Sequence, residues 1–409
     1  MINNKDNLMN FISKCTCSFT TVKYIESILK EKGYVKLEPT KKWNITSNNN
    51  YYTILNDSSI IAFKIPSKPL QFNIIISHAD TPAFKLKPNG LYSKDNISLF
   101  NVMPYGGLLN YGWFDHPMSI AGKIAVRNNN KVITKIIDLE KPMMIIPSVA
   151  IHLQANANDN LNINSQDHLQ PIIDINNNIT LSKILNEKDI IDYELYCYSV
   201  FNPTVIGSKN DLLLSPRIDN TTSVYASLHA FLDANSNNIN VFATFNHEEI
   251  GSMTKEGAES TFLSDILRRI SSSLNIDYYS TIQKSVLLSS DNTHAMHPNY
   301  REYDDLTGNA KLGKGFTIIY DKNTTNDITL TSKWKDMLDK KRILYQEYTA
   351  RNDIQGGGTI SSIIIKHISI PCVEVGIAQL AMHSSVEVCS FKDIDYLFKA
   401  MKAFYLLTK

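Results

Sequence analysis

Apolar residues recur along the chain in two patterns, short continuous runs and longer segments with helical spacing. The runs "FNIII", "NVFATF", "SVLLSS" and "CVEVG" are mostly apolar and predict buried strands. Segments between and after them, such as "TTSVYASLHAFLDA" and "FKDIDYLFKAMKAFYLL", place apolar side chains every three or four residues and predict helices. This alternation predicts an α/β fold with a mostly parallel sheet and helices on both faces.

The middle of the chain has a different texture. Segments such as "KIAVRNNNKVITKIIDL" alternate apolar and polar residues over short distances and are broken at Asn-rich turns. We therefore expect residues 91–204 to form a β-rich inserted domain, and residues 1–90 and 205–409 to form the α/β domain that it interrupts.

Composition and charge exclude several classes of protein. The chain has 409 residues, 43% hydrophobic and 20% charged, which is ordinary for a globular protein. A net charge of +1 gives no electrostatic basis for binding nucleic acid or an anionic membrane. The sequence has no apolar core of a signal peptide and no apolar stretch near the roughly 18 residues of a transmembrane helix. Five cysteines, an odd number, argue against a disulfide framework and predict a reducing cytoplasm.

Side chains that can bind metals recur near the ends of the predicted strands. Because the carboxyl ends of parallel strands meet at one edge of a sheet, we expect these side chains to converge. The candidates are His78, Asp80, Asp219, Glu248, Glu249, Asp291 and His383. Two imidazoles and several carboxylates suit zinc or a similar divalent ion. The surplus of carboxylates predicts two ions that share a bridging aspartate.

Other interpretations exist for the single residues. Asp219, followed by "NTTS", could cap a helix, and His78 alone could be a hydrogen-bonded core histidine. Repetition at five separate segments favours a metal centre over these. "HEEIG" is not the H-E-x-x-H zinc signature because position 251 is glycine. "GGGT" at 356–359 lacks the lysine of a phosphate loop, and the chain has no G-x-S-x-G serine nucleophile motif.

The motifs together resemble the aspartyl aminopeptidases, the family that includes vacuolar aminopeptidase I. The matching segments occur in the family's order and cover most of the chain from residue 77 onward. They are "SHADTPAFKLKP", "YGGLLNYGWFDHPMSIAGK", "IPSVAIHL", "RIDNTTSVYASLHAF", "FNHEEIGS", "SSDNTHAMHPNY", "ARNDIQGGGTI" and "QLAMHSSVEVCSFKD".

The resemblance implies two zinc ions per subunit, with Co²⁺ or Mn²⁺ as possible substitutes. His78, Asp219 and Asp291 would hold the first ion. Asp219 would bridge to the second, which Glu249 and His383 would complete.

The resemblance also implies three further roles and an assembly. Asp80 would orient His78 through its other ring nitrogen. Glu248 would be the general base that deprotonates the attacking water and later protonates the leaving amine. His152 would reach the active site of a neighbouring subunit and donate to the tetrahedral oxyanion. The inserted domain would form a homodimer, and the family's tetrahedral dodecamer would restrict access to peptides.

The chain departs from the family beside the expected substrate pocket. The family reads "KGPVIK" where this chain reads "KGFTII", so Ile319 replaces the second lysine. A basic residue near the pocket would favour acidic N-terminal side chains, because a buried cation must be paired. A preference for N-terminal Asp or Glu is therefore implied by the family, and neutral residues remain open here.

The leading hypothesis is a cytoplasmic, homo-oligomeric dizinc aminopeptidase acting on peptides. One rival is a dizinc amidohydrolase or deacylase that cleaves non-peptide amides. A second rival is a non-catalytic assembly or cargo protein that keeps the metal site for stability. Glu248 argues against the second rival, because a purely structural metal site has no use for a base.

Overall fold

The computed structural model describes residues 5–175, 179–324, 326–354 and 356–408. The α-helices of these parts are, in chain order, α1 (Lys5–Lys14), α2 (Ser18–Glu31), α3 (Ser165–His168), α4 (Leu181–Leu185), α5 (Ile218–Asp233), α6 (Phe262–Leu274), α7 (Tyr278–Lys284), α8 (Ile328–Lys340), α9 (Ser361–Ile364) and α10 (Phe391–Phe404). The strands are β1 (Val35–Lys36), β2 (Asn49–Leu55), β3 (Ser59–Ile65), β4 (Phe72–His78), β5 (Ala83–Lys94), β6 (Ile97–Tyr105), β7 (Met118–Asn128), β8 (Lys131–Asp138), β9 (Ile172–Asp174), β10 (Ile190–Ser199), β11 (Thr204–Ile206), β12 (Leu212–Ser215), β13 (Ile239–Phe245), β14 (Val286–Ser290), β15 (Thr293–His294), β16 (Phe316–Ile319), β17 (Tyr345–Tyr348), β18 (Cys372–Gly376), β19 (Ala378–Leu380) and β20 (Glu387–Ser390).

The largest sheet has nine strands in the order β1-β2-β3-β13-β4-β14-β18-β16-β17. Its four central strands, β13, β4, β14 and β18, are mutually parallel. They are also completely buried, as their apolar sequences predict. Antiparallel pairs join this parallel centre to β3 on one side and to β16 on the other. The predicted α/β fold with a mostly parallel sheet is therefore confirmed.

Helices cover both faces of this sheet. Successive strand residues point to opposite sides, and the apolar side chains on each side are buried under helices. In β4, Ile75 belongs to the core under α1, α2, α5, α8 and α10, whereas Ile74 and Ile76 belong to the core under α6, α7 and α9. The helical spacing predicted for α10 is confirmed, because Ile394, Leu397, Met401 and Phe404 are fully buried against the first core.

The middle of the chain forms a second, six-stranded antiparallel sheet in the order β8-β7-β10-β5-β6-β9. It has a hydrophobic core of its own, built from residues such as Phe84, Phe100 and Leu195. Its first strand begins at Ala83, so β5 crosses the predicted boundary at residue 91. The β-rich character follows the prediction, while the division into two domains at 91 and 204 remains a prediction.

A third sheet of five short strands, β11-β12-β20-β19-β15, lies in the chain's second half. The sequence did not indicate this sheet, because strands of two to four residues carry little periodicity. Among the described residues, no helix combines the length and the apolar character needed to cross a bilayer.

Candidate metal centre

The first group of metal-binding side chains lies at the carboxyl ends of β4 and β14. His78 is the last residue of β4, and Asp291 directly follows β14. The Nε2 atom of His78 is 3.2 Å from Asp291 Oδ1 and 3.6 Å from Asp219 Oδ1. All three residues are buried. These three side chains converge as the sequence predicted, although they are 72 or more positions apart (291 − 219).

A second group shares Asp219 with the first. Asp219 lies in the first turn of α5, where the backbone departs from helical geometry and the Asp219–Asn220 peptide bond is cis. Its Oδ2 atom is 3.3 Å from His383 Nε2, and Glu249 Oε2 is 3.7 Å from the same nitrogen. The ligand atoms of Asp219, Glu249 and His383 all lie within 4.8 Å of one another, as do those of the first group. The two oxygens of Asp219 therefore face two separate donor sets.

Glu248 and Glu249 enter the centre through a sharp turn after β13. His247 has a left-handed backbone (φ 65°), and a 3₁₀ turn follows over Glu248–Ile250. Glu249 joins the Asp219–His383 group, whereas Glu248 belongs to a third set of donor atoms, with His78 and Glu249, that does not include Asp219. The two adjacent carboxylates thus occupy different positions in the centre.

Asp80 contacts four groups around the centre, namely an imidazole, two backbone N–H groups and a hydroxyl. Its Oδ1 is 3.5 Å from His78 Nδ1, and its two oxygens accept hydrogen bonds from the backbone N–H groups of Glu248 and Glu249 at 3.2 and 3.1 Å. The Tyr105 hydroxyl donates to Oδ2 at 2.8 Å. Asp80 therefore orients the side of His78 that faces away from the donor groups and also holds the glutamate turn in place.

Sequence reasoning missed Glu387, which fixes the other side of the centre. Its buried carboxylate accepts hydrogen bonds from the backbone N–H groups of His383 at 2.8 Å and Asp219 at 3.1 Å. Gln379 Nε2 also donates to it, at 3.1 Å. The only sequence signal was its place in "HSSVEVCS", four residues after His383.

Gly106 and Gly107 lie against two of the candidate metal-binding side chains. A Cβ at Gly106, which has φ of 79°, would lie 2.9 Å from Glu249 Oε2, so a larger residue would displace that carboxylate. The Gly107 carbonyl is 2.8 Å from His383 Nδ1. That contact leaves Nε2 of His383 directed at Asp219 and Glu249.

The carboxylates and imidazoles of the centre shift one another's pKa values. Burial raises the pKa of Glu248 to about 8, with Asp291 and Asp80 adding to the effect. Burial likewise raises the pKa of Glu249 well above its usual value. Burial alone would lower the pKa of His383, but Asp219 and Glu249 outweigh it and raise that pKa to about 10. Carboxylates this close repel one another unless positive charge, from an imidazolium or a bound cation, lies among them.

Two buried carboxylate oxygens without hydrogen-bond partners also indicate a cation site. Among the described residues, Asp219 Oδ1 and Glu249 Oε1 are buried and lack a hydrogen-bond partner. An unpaired buried carboxylate oxygen costs free energy unless a cation or a donor satisfies it. Two donor sets of carboxylate and imidazole atoms fit zinc, which takes oxygen and nitrogen ligands.

A cavity of about 450 Å³ opens onto the centre. The predicted residues among those lining it are Asp219, Glu248, Glu249, Asp291 and His383. His152 is not among the described residues that line it, and it lies in an exposed turn of the middle segment. The structure thus brings seven of the eight predicted residues together and leaves His152 apart from them within one chain.

The fold and this centre define a metallohydrolase with the architecture of the zinc exopeptidases. A family model described as aminopeptidase I zinc metalloprotease (M18) matches residues 11–405. The chain therefore belongs to the M18 aminopeptidase family, whose members hydrolyse peptide bonds, and the predicted family is confirmed.

Individual relatives agree with the family match. The chain is 36% identical to a probable M18 family aminopeptidase 2 of Clostridium novyi, over 98% of both chains. It is 30% identical to a probable aspartyl aminopeptidase of Ricinus communis, over 98% of this chain and 94% of that one. A solved structure of an Ape4–Nbr1 complex matches with a TM-score of 0.93 and 29% identity, over 98% of this chain and 84% of that one. An M18 aminopeptidase of Thermotoga maritima has the same fold, with a TM-score of 0.86 and 24% identity over 99% of this chain and 97% of that one.

Proposed function

We propose that the chain is a dizinc aminopeptidase in which Asp219 would be a ligand of both ions. His78 and Asp291 would complete one site, and Glu249 and His383 the other. The observation that carries this proposal is that two sets of donor atoms, each with one imidazole, have Asp219 in common. When zinc is bound there, it polarises the scissile carbonyl and lowers the pKa of the attacking water.

The protein's own side chains would transfer the protons and position the groups that do so. Glu248 takes a proton from the attacking water and later delivers it to the leaving amine. Its carboxylate suits this role because it lies within 4.8 Å of donor atoms of His78 and Glu249 but belongs to neither of the groups that contain Asp219. Asp80 acts as a positioning residue, because it holds His78 and the backbone of Glu248 without lining the cavity.

The proposed function is tested by comparing two substrate classes on zinc-loaded protein. We expect hydrolysis of leucine p-nitroanilide, loss of that activity with a chelator, and recovery on adding zinc, because the centre needs the ions to activate water. N-acetyl-leucine should not be cleaved, since the proposed substrate carries a free amine. Cobalt and manganese are expected to support activity in place of zinc, since both accept the same donors.

Two outcomes would contradict this proposal. Cleavage of N-acyl amino acids alone would favour the deacylase. No hydrolysis of either class with zinc, cobalt or manganese supplied would favour the non-catalytic assembly or cargo protein.

We also infer that the protein acts as a homo-oligomer built from dimers. Four apolar side chains in the segment 147–164 are 46 to 83% exposed, which is unusual for a surface that meets only water. They are Val149, Ile151, Leu153 and Leu161. A second copy of the chain would cover them, and one solved protein of this fold, from yeast, is described as a dodecamer.

We also propose that the same segment places His152 in the active site of a partner subunit. We expect His152→Ala to lower kcat by about 10²-fold while zinc content stays unchanged, because it loses one donor to the oxyanion. Metal analysis and steady-state kinetics measure both quantities, and His168→Ala, on the exposed helix α3, is the matched control. Unchanged turnover in the His152 variant would rule out the role across the subunit boundary.

We infer a cytoplasmic location from the cysteines. All five are free and buried in the structure. Free thiols persist in reducing compartments, where disulfides are rare.

A further inference from the structure

The cavity beside the metal centre has a second wall, which is not made of the predicted metal ligands. This wall is formed by residues in the segments 319–324 and 356–363. An aminopeptidase places the first peptide bond at the metals, so the side chain of the N-terminal residue must lie in the same cavity. The chemistry of this wall therefore determines which N-terminal residue fits best, provided that the aminopeptidase activity proposed above is correct.

Among its described residues, the wall carries negative charge and no fixed positive charge. Apart from the residues of the metal centre, Asp321 is the one carboxylate among the described lining residues, and no lysine or arginine is among them. The two neighbouring positions outside the described ranges are Thr325 and Gln355 in the sequence, and neither residue type carries a charge. His294 also lines the cavity, but burial lowers its pKa, so its imidazole is neutral near neutral pH.

The Asp321 carboxylate is held in place and has no cationic partner within the described ranges. Its Oδ1 accepts a hydrogen bond from the backbone N–H of Lys322 at 2.8 Å. Its Oδ2 lies so close to Gly356 that a Cβ there would be 2.5 Å away. The ammonium of Lys322 donates to the Ile354 carbonyl at 3.3 Å instead of pairing with Asp321.

Ile319 supplies an apolar surface on the same wall. It is 4% exposed and lines the cavity two residues before Asp321. The methylene groups of a long basic side chain can lie along apolar surface while the charged end reaches a carboxylate. An acidic side chain would instead meet Asp321, with no lysine or arginine among the described residues of the wall to pair with it.

We propose that Asp321 makes the enzyme prefer peptides with an N-terminal lysine or arginine over those with an N-terminal aspartate or glutamate. The carboxylate pairs with the ammonium or guanidinium group, and Ile319 contacts the methylene stem. This specificity is opposite in charge to the acidic preference that the family resemblance implies.

The test measures kcat/KM of the zinc-loaded enzyme for the p-nitroanilides of lysine, leucine and aspartate. We expect lysine to exceed aspartate by about tenfold or more, the size of effect that one partly screened charge pair gives. Asp321→Asn should lower the ratio of lysine to leucine by about tenfold. Asp321→Lys should reverse the order of lysine and aspartate, a gain that misfolding cannot produce.

Lys322→Gln is the matched control, because it removes a neighbouring charge that does not line the cavity. It should leave the ratio of lysine to leucine unchanged. A parent enzyme that prefers aspartate, or an Asp321→Lys variant with the parent's order, would overturn the inference. Hydrolysis of leucine p-nitroanilide without a preference for lysine would overturn this inference alone, whereas no hydrolysis of any of the three would overturn the proposed function.

Discussion

The Glu248→Gln variant should bind as much zinc as the parent protein and hydrolyse leucine p-nitroanilide about 10³-fold more slowly. Glutamine keeps the size of the side chain but cannot accept the proton of the attacking water. The metal ligands remain, because neither of the two donor groups that share Asp219 includes Glu248. The loss should therefore appear in kcat and not in metal content.

Metal analysis of the dialysed protein and steady-state kinetics separate these two effects. Glu31→Gln, at the exposed end of α2, is a matched control and should keep the parent's activity. Full activity in the Glu248 variant would show that another group is the base. A loss of zinc would instead assign Glu248 to the ligands.

Asp219→Asn should lose metal and activity together. An amide offers one neutral oxygen where the two donor groups now face one carboxylate oxygen each. We expect zinc to fall from two ions per chain to one or fewer, and kcat/KM to fall by about 10³-fold or more, since residues that act as one unit fail together. The change also leaves the buried imidazole of His78 and the partly exposed imidazole of His383 without their shared anion.

The comparison that isolates the bridge is Asp291→Asn, which alters a residue of the first group alone. It should lower the occupancy of one site and leave the second ion bound. Asp265→Asn, whose side chain is 54% exposed on α6, controls for the substitution itself. Two zinc ions retained by the Asp219 variant would contradict the bridging role.

Much of this centre could be predicted because strand ends are visible in sequence. The runs before His78, Glu248 and Asp291 are apolar enough to predict buried strands, and parallel strands bring their carboxyl ends to one edge. The family resemblance supplied the separate roles of Glu248 and Glu249, and the left-handed backbone of His247 gives the local reason why two adjacent carboxylates diverge.

Other contacts could not be predicted, since they join segments through backbone groups. Glu387 binds the N–H groups of His383 and Asp219, and the Gly107 carbonyl contacts a ring nitrogen. A backbone N–H or carbonyl has the same chemistry at nearly every position, so no residue pattern marks it. Tyr105 could not be predicted for a different reason, because its side-chain hydroxyl meets Asp80 across 25 positions, a contact that only the folded chain creates.

The sequence by itself determined the fold class and the family, and it predicted the seven side chains that the structure brings together, since apolar periodicity and ordered motifs are local properties of the chain. Only the tertiary structure decided that the two donor groups share Asp219 in space and that the cavity wall beside them carries Asp321 with no lysine or arginine among its described residues. Those features depend on distances between segments far apart in the chain. Such distances are set by packing the sheet, the helices and the inserted strands together.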